Sequence, residues 1–201
     1  NGSDSDGVAP FCESASHLDG AYLSSHLDLH TDGTYFIESP KLQSYGCIFT
    51  TPSTFGGETT IADGFATIQE LLQTSPEAVA LLSSVEVGGR YRKEGLWYEA
   101  HRPVVSFCNR TGHIKQISFN NADRIPMSCA LSDEVLRKFY QAYHKFHKQV
   151  HSNSITFQLK PGQMLFFDNH RALHGRKQFA GPRVMCGAYV GLDDYFSSLL
   201  I

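Results

Sequence analysis

Short apolar runs, each closed by a turn rich in Gly, Pro or Asn, occupy both ends of the chain and limit its fold more than any other feature. Residues 44–51, residues 102–107 and 114–119 around the turn Asn109-Arg110-Thr111-Gly112, and residues 155–159 read as strands. So do residues 164–167 after Lys160-Pro161-Gly162-Gln163 and residues 183–192 after Ala180-Gly181-Pro182. Residues 85–98 mix Gly, Arg and Tyr. Helical periodicity is confined to the middle. Ile68, Leu71, Leu72, Val79, Leu81 and Leu82 fit two short helices broken at Ser75-Pro76, with Ser75 as cap and Pro76 at the first helical position. Ser132 can cap an amphipathic helix running to about Val150. A mainly β chain with inserted helices points to a sandwich or a jelly roll.

The chain has 201 residues, of which 41% are hydrophobic, enough for the core of one domain. It begins abruptly in a Gly/Ser/Asp-rich segment, so residues 1–18 are expected to be a loop or disordered lead-in, residues 19–201 the folded domain, and further segments to lie upstream. A formal charge of −3 with Lys and Arg dispersed argues against a nucleic-acid groove, which needs a basic stripe. No apolar run approaches the roughly 20 residues of a membrane span, and no signal peptide or presequence is visible. Five cysteines without a Cys-x-x-Cys pair suggest neither a disulfide framework nor a thiolate zinc site. A small-molecule partner and an intracellular setting, mitochondrial or cytoplasmic, are the expectation.

The chemistry starts at Leu27-Asp28-Leu29-His30-Thr31-Asp32-Gly33-Thr34-Tyr35-Phe36. On a strand, side chains two residues apart face the same way, so His30 and Asp32 are presented together. A third ligand would complete the 2-His-1-carboxylate triad that suits non-haem Fe(II). The run from Met164 into Asp168-Asn169-His170-Arg171-Ala172-Leu173-His174-Gly175-Arg176 supplies His174 as that ligand. Three metal positions then stay open, two for a chelating 2-oxoacid and one for dioxygen. Arg183 can offer a bidentate fork to the far carboxylate of the oxoacid, and the Thr59 hydroxyl can add a hydrogen bond. Polar groups at the strand end Phe119-Asn120-Asn121-Ala122-Asp123-Arg124 could hold a substrate, as could Asp19 and Tyr22, which precede the His30 strand closely. Another grouping, His144, His147 and His151, shares a helix face among Lys145 and Lys148; without a carboxylate partner in the sequence nearby, it reads as a solvated face.

From about Asp19 onward the chain resembles the 2-oxoglutarate-dependent dioxygenases related to taurine dioxygenase, in the branch of trimethyllysine dioxygenase and γ-butyrobetaine dioxygenase. The carriers are Asp19-x-Ala21-Tyr22, His30-Thr31-Asp32-x-Thr34-Tyr35-Phe36, Gly56-Gly57-Glu58-Thr59 with Asp63-Gly64-Phe65, Phe119-Asn120-Asn121-x-Asp123-Arg124, Phe167-Asp168-Asn169-x-Arg171-x-Leu173-His174-Gly175-Arg176, and Arg183-x-x-Cys186-Gly187-x-Tyr189. The resemblance implies a double-stranded β-helix, the cupin-like jelly roll. It also implies Fe(II) on His30, Asp32 and His174, and 2-oxoglutarate on Thr59 and Arg183. Hydroxylation of a trimethylammonium amino acid would follow, Nε-trimethyllysine first and γ-butyrobetaine second, as in carnitine biosynthesis. Asp19, Tyr22, Asn121 and Tyr189 would bind the substrate, with room for ascorbate as an auxiliary reductant and for a homodimer. Thr34-Tyr35-Phe36 and the nine-residue step from His174 to Arg183 are more similar to the trimethyllysine side of the branch. The chain departs from the pattern where cage aromatics are expected, at Ser5 and Ala9, and where His170 replaces a tryptophan. The first departure keeps another small amino acid or a sulfonate open as substrate. A β-helix that binds a ligand without turnover is the reading of a different class, opposed by the intact triad, Arg183 and Thr59.

Overall fold

The computed structural model describes residues 23–93 and 95–199. Asp19, Tyr22 and residues 1–18 lie outside the described residues. In chain order the elements are β1 (Leu27–His30), β2 (Leu42–Thr50), β3 (Phe55–Gly56), β4 (Thr59–Asp63), α1 (Gly64–Thr74), α2 (Pro76–Ser84), β5 (Glu86–Lys93), β6 (Leu96–Pro103), β7 (Val105–Phe107), β8 (Ile114–Ile117), α3 (Asp133–Ser152), β9 (Ile155–Phe157), β10 (Met164–Asp168), β11 (Ala172–Arg176), β12 (Phe179–Ala180), β13 (Arg183–Val190) and α4 (Leu192–Ser198).

An antiparallel sheet of order β1-β11-β4-β9 faces a second of order β10-β2-β13 across the site described below, with β12 paired to β3 beside them. The chain passes from the second sheet to the first in the tight turn between β10 and β11, where the Arg171 N–H donates to the Asp168 carbonyl at 3.0 Å. Strands that trade sheets through short corners are the mark of the jelly roll, and the fold expected from sequence is the one found.

Strand alternation divides the labour within the first sheet. Leu29 and Leu173 turn to the helical side and join a core with Ile68 and Leu71 of α1, Val79 and Leu82 of α2, and Phe139, Phe146 and Val150 of α3. Their neighbours His30 and His174 turn the other way. Helix α3 buries Phe139, Ala142, Tyr143, Phe146 and Val150, a stripe at helical spacing, and Ser132 caps it by accepting from the Val135 N–H.

Three elements differ from expectation. Helix α1 begins earlier than its apolar period suggests, because the Asp63 carboxylate accepts from the N–H groups of Phe65 and Ala66. Ser75 does stand between α1 and α2, yet its side chain makes no cap bond and instead accepts from Lys145 Nζ at 2.7 Å. The Gly/Arg/Tyr stretch forms the hairpin β5–β6, in which Tyr91 and Tyr98 are cross-strand partners.

Candidate active site

The pairing of β1 with β11 sets His30 opposite His174. Opposed residues of antiparallel strands present their side chains on one face about 5 Å apart, and the two imidazole centroids are 4.4 Å from each other. Close approach of the strands depends on Gly175, where a Cβ would meet the Leu27 carbonyl oxygen at 2.7 Å. Just past β1, Asp32 brings its carboxylate to both rings, Oδ1 at 3.1 Å from His30 Nε2 and Oδ2 at 3.7 Å from His174 Nε2. One donor atom from each of the three lies within 4.8 Å of the others. Two imidazoles and one carboxylate on one side of a point fit the facial arrangement of non-haem Fe(II).

The three side chains are held differently. His30 donates from Nδ1 to the Asp28 carbonyl at 2.8 Å, which leaves Nε2 aimed at the shared point. His174 is held by packing, its ring 4.8 Å from that of Phe167 and 6.0 Å from that of Tyr45. Asp32 is clamped through its backbone: its N–H donates to Asn169 Oδ1 at 2.8 Å, and Asn169 Nδ2 donates to the Asp32 and Pro40 carbonyls. Thr31 is fixed on the other side, where its N–H donates to the Phe119 carbonyl and its hydroxyl accepts from the Phe119 N–H. The segment Phe119-Asn120-Asn121-Ala122-Asp123-Arg124 thus runs beside the His30 strand, and Thr34 donates to Asp123 Oδ2 at 3.2 Å.

Burial would raise the Asp32 carboxyl, but the hydrogen bond with His30 and the charges of His174 and His30 hold it well below the usual carboxylate range. Burial works against a charge on His30 too, and there the hydrogen bond and charge of Asp32 prevail, so its pKa rises. Burial together with the neighbouring His30 charge pushes His174 down to about 3. The carboxylate is therefore ionised and His174 neutral at ordinary pH, the forms that ligate a metal.

A second polar group lies on the facing wall. Arg183 opens β13, and its Nε and Nη1 are buried without a hydrogen-bond partner among the described residues. The guanidinium lies over the Phe179 ring, 5.5 Å from its centroid. Gly57, at φ 74°, makes room for it: a Cβ there would stand 2.6 Å from Arg183 Nη1. Thr59, buried at the start of β4, shares a hydrogen bond with the Tyr45 hydroxyl, whose pKa burial pushes up to about 12. Tyr45 feels the charges of both Arg183 and Asp32, and its ring lies 6.0 Å from that of His174. Arg176 turns elsewhere and donates to the Leu23 and Ser25 carbonyls.

Of the residues expected to bind substrate, Tyr189 reaches the triad and donates its hydroxyl to Asp32 Oδ2 at 2.8 Å. Asn121 is exposed and accepts from the Tyr143 hydroxyl at 3.1 Å. Asp19 and Tyr22 fall outside the described residues. His170, in the tryptophan position, is buried against Ser39, donating from Nε2 to its carbonyl at 3.1 Å. The grouping of His144, His147 and His151 needs correction: His147 and His151 do have a carboxylate partner, Asp28, which is distant in sequence and adjacent in space. Tyr45 and Asn169 are the residues the sequence reading gave no role. Asn169 stood within a quoted motif, whereas nothing around Tyr45 distinguishes it from a packing tyrosine.

Comparison with known proteins agrees with this geometry. The description "Taurine catabolism dioxygenase TauD, TfdA family" matches residues 5–189. Trimethyllysine dioxygenase of Meyerozyma guilliermondii is 34% identical over 197 residues, covering 96% of this chain and 49% of the relative. γ-Butyrobetaine dioxygenase of Pseudomonas sp. (strain AK-1) is 31% identical over 186 residues, covering 90% and 47%. The chain thus spans about half the length of the curated relatives it matches. Among solved structures, asparagine oxygenase in complex with Fe(II), 2S,3S-3-hydroxyasparagine and succinate superposes with a TM-score of 0.66 at 19% identity, over 84% of this chain and 50% of that one. The fold, the clustered His30, Asp32 and His174, and the match over residues 5–189 all agree that the chain belongs to the TauD, TfdA family of dioxygenases.

Proposed function

We infer that the domain, residues 19–201, carries the centre of an Fe(II)- and 2-oxoglutarate-dependent hydroxylase acting on a trimethylammonium amino acid, Nε-trimethyllysine in first place. The observation that carries the reading is that Arg183 Nε and Nη1 are buried without a hydrogen-bond partner among the described residues, near Tyr45, which packs by the His30/Asp32/His174 cluster. When bound to His30, Asp32 and His174, Fe(II) supplies the dioxygen chemistry that couples decarboxylation of 2-oxoglutarate to hydroxylation of a C–H bond. The chain's own groups do the positioning. Arg183, Thr59 and Tyr45 take the far carboxylate of the cosubstrate, a bidentate charge pair in surroundings that exclude water. Asn169 and the Asp28 carbonyl fix Asp32 and His30 so that their ligand atoms need no reorganisation.

The substrate class rests on the relatives and on residues at the mouth of the site. A quaternary ammonium cannot donate a hydrogen bond, so aromatic faces must hold it, at ~0.5–2 kcal/mol per good contact. Tyr189, exposed beside Asp32, and Tyr22 are the aromatics assigned to it. Asp19 is assigned to the α-ammonium, which γ-butyrobetaine lacks. The serine and alanine at positions 5 and 9, where cage aromatics are expected, favour keeping γ-butyrobetaine, another small amino acid or a sulfonate as the second reading. The test is succinate release with Nε-trimethyllysine, γ-butyrobetaine, taurine and unmethylated lysine. Release stimulated most by trimethyllysine is expected; equal stimulation by unmethylated lysine contradicts the assignment.

A further inference from the structure

His147 and His151 lie one turn apart on α3, so their side chains project together. Across from them, Asp28 of β1 offers both carboxylate oxygens: Oδ2 is 2.9 Å from His147 Nε2 and Oδ1 is 2.8 Å from His151 Nε2. The two Nε2 atoms are 3.1 Å apart. This arrangement is held from outside the cluster. Asp28 Oδ1 accepts from the Leu29 N–H at 2.9 Å, and the His147 ring lies nearly parallel to Phe119, at 22° with centroids 6.0 Å apart. All three residues are half-buried.

Hydrogen bonding alone accounts poorly for the convergence. If both imidazoles donate from Nε2 to Asp28, two N–H groups confront one another at 3.1 Å. If only one carries an Nε2 proton, the other sets a lone pair against the carboxylate. One cation between the two Nε2 atoms and the Asp28 carboxylate satisfies these groups at once. A tetrahedral ion with bonds of about 2.0–2.1 Å separates its ligand atoms by roughly 3.3 Å; the two Nε2 atoms at 3.1 Å are already near that separation, and one ligand atom from each of the three residues lies within 4.8 Å of the others.

We propose that Asp28, His147 and His151 form a second metal site, for a divalent ion of the Zn(II) class, separate from the His30/Asp32/His174 triad. Two imidazoles with one carboxylate select a borderline ion over Mg²⁺ or Ca²⁺. The fourth position falls to water or to His26, whose Nε2 stands 4.0 Å from Asp28 Oδ1. The ion would pin α3 to β1, and the two centres are connected through Asp28, whose carbonyl accepts from the triad ligand His30.

The experiment is equilibrium dialysis of the metal-stripped chain against Zn(II), with zinc counted per chain. Wild type is expected to hold one ion more than His147→Gln/His151→Gln, whether or not the triad also takes zinc, and Asp28→Asn is expected to weaken that ion at least about tenfold. Equal zinc content in wild type and the double variant overturns the proposal. A second measurement needs no variant: diethyl pyrocarbonate modification of wild type, mapped by mass spectrometry. Zinc should protect His147 and His151 while exposed His144 on the same helix stays reactive. Modification of His147 and His151 unchanged by zinc also overturns the proposal.

Discussion

Arg183 keeps two buried guanidinium donors without partners among the described residues, and an arrangement so costly in isolation makes sense once an anion fills it. Removing one member of a partly buried charge pair costs several kcal/mol. Arg183→Ala should therefore raise the 2-oxoglutarate requirement at least about a hundredfold, at ~1.4 kcal/mol per decade, with Fe(II) binding retained. An unchanged requirement in a succinate assay would move the anchor elsewhere. Asn169 acts through Asp32. Its amide makes three hydrogen bonds to the Asp32 and Pro40 backbones, and Asn169→Ala leaves those groups unsatisfied. The expected loss is about 2–3 kcal/mol in denaturant titration, together with weaker Fe(II) binding; full Fe(II) affinity would show that the clamp does not orient the ligand. The clustering of His30, Asp32 and His174 was legible in the sequence because ligand chemistry restricts residue type, although Asp32 lies just past β1 and not on it as strand alternation had it. Thr59 and Arg183 were picked out by the same reasoning about residue type, and their cosubstrate role stays a proposal. Asp28 as a partner of His147 and His151 was not legible, since 119 residues separate Asp28 from His147 and no spacing rule spans that distance.

Among elements, α1 shows how one side chain can serve two structures. Asp63 caps the helix and pairs with Arg171 on the β10–β11 turn, Arg171 Nη2 to Oδ2 at 2.5 Å. Asp63→Ala should cost about 1–2 kcal/mol, read from urea unfolding. Burial would raise the Asp63 pKa, but the Arg171 hydrogen bond and the cap N–H groups lower it below the ordinary 3.8. A depressed carboxylate stabilises the fold above its unfolded pKa and loses that contribution as pH falls through the folded value. The gap between wild type and Asp63→Ala should therefore narrow below about pH 4; a constant gap would mean that the charge contributes nothing. Phe146 of α3, fully buried, should cost about 3–5 kcal/mol on change to alanine. Phe166 of β10, 72% exposed, should tolerate threonine within about 0.5 kcal/mol. Helical and strand period exposed most of this scaffold in the sequence. The β5–β6 hairpin escaped because its support is tyrosine pairing across strands, not alternation along one.

For the molecule as a whole, function depends on two sheets meeting. One carries His30, His174 and Thr59, the other Tyr45, Arg183 and Tyr189, and the corner between β10 and β11 keeps them together. The jelly roll was legible from short strands with Gly and Pro turns, but the register that sets His30 against His174 was not, since it depends on long-range pairing. Substrate choice belongs to this scale too, because the proposed function assigns it to Tyr189 and to Asp19 and Tyr22 from the opposite end of the chain. Asp19→Asn should weaken Nε-trimethyllysine turnover selectively, whereas Tyr22→Ala should weaken γ-butyrobetaine as well; competitive turnover of the two substrates distinguishes these outcomes. The central claim is that His30, Asp32 and His174 hold one iron against which 2-oxoglutarate chelates. Anaerobic titration with Fe(II) and 2-oxoglutarate, followed by visible absorption, tests it most directly. A metal-to-ligand charge-transfer band is expected in wild type only when both are present, and none in His174→Ala; no band in wild type, or an undiminished band in His174→Ala, would contradict the account.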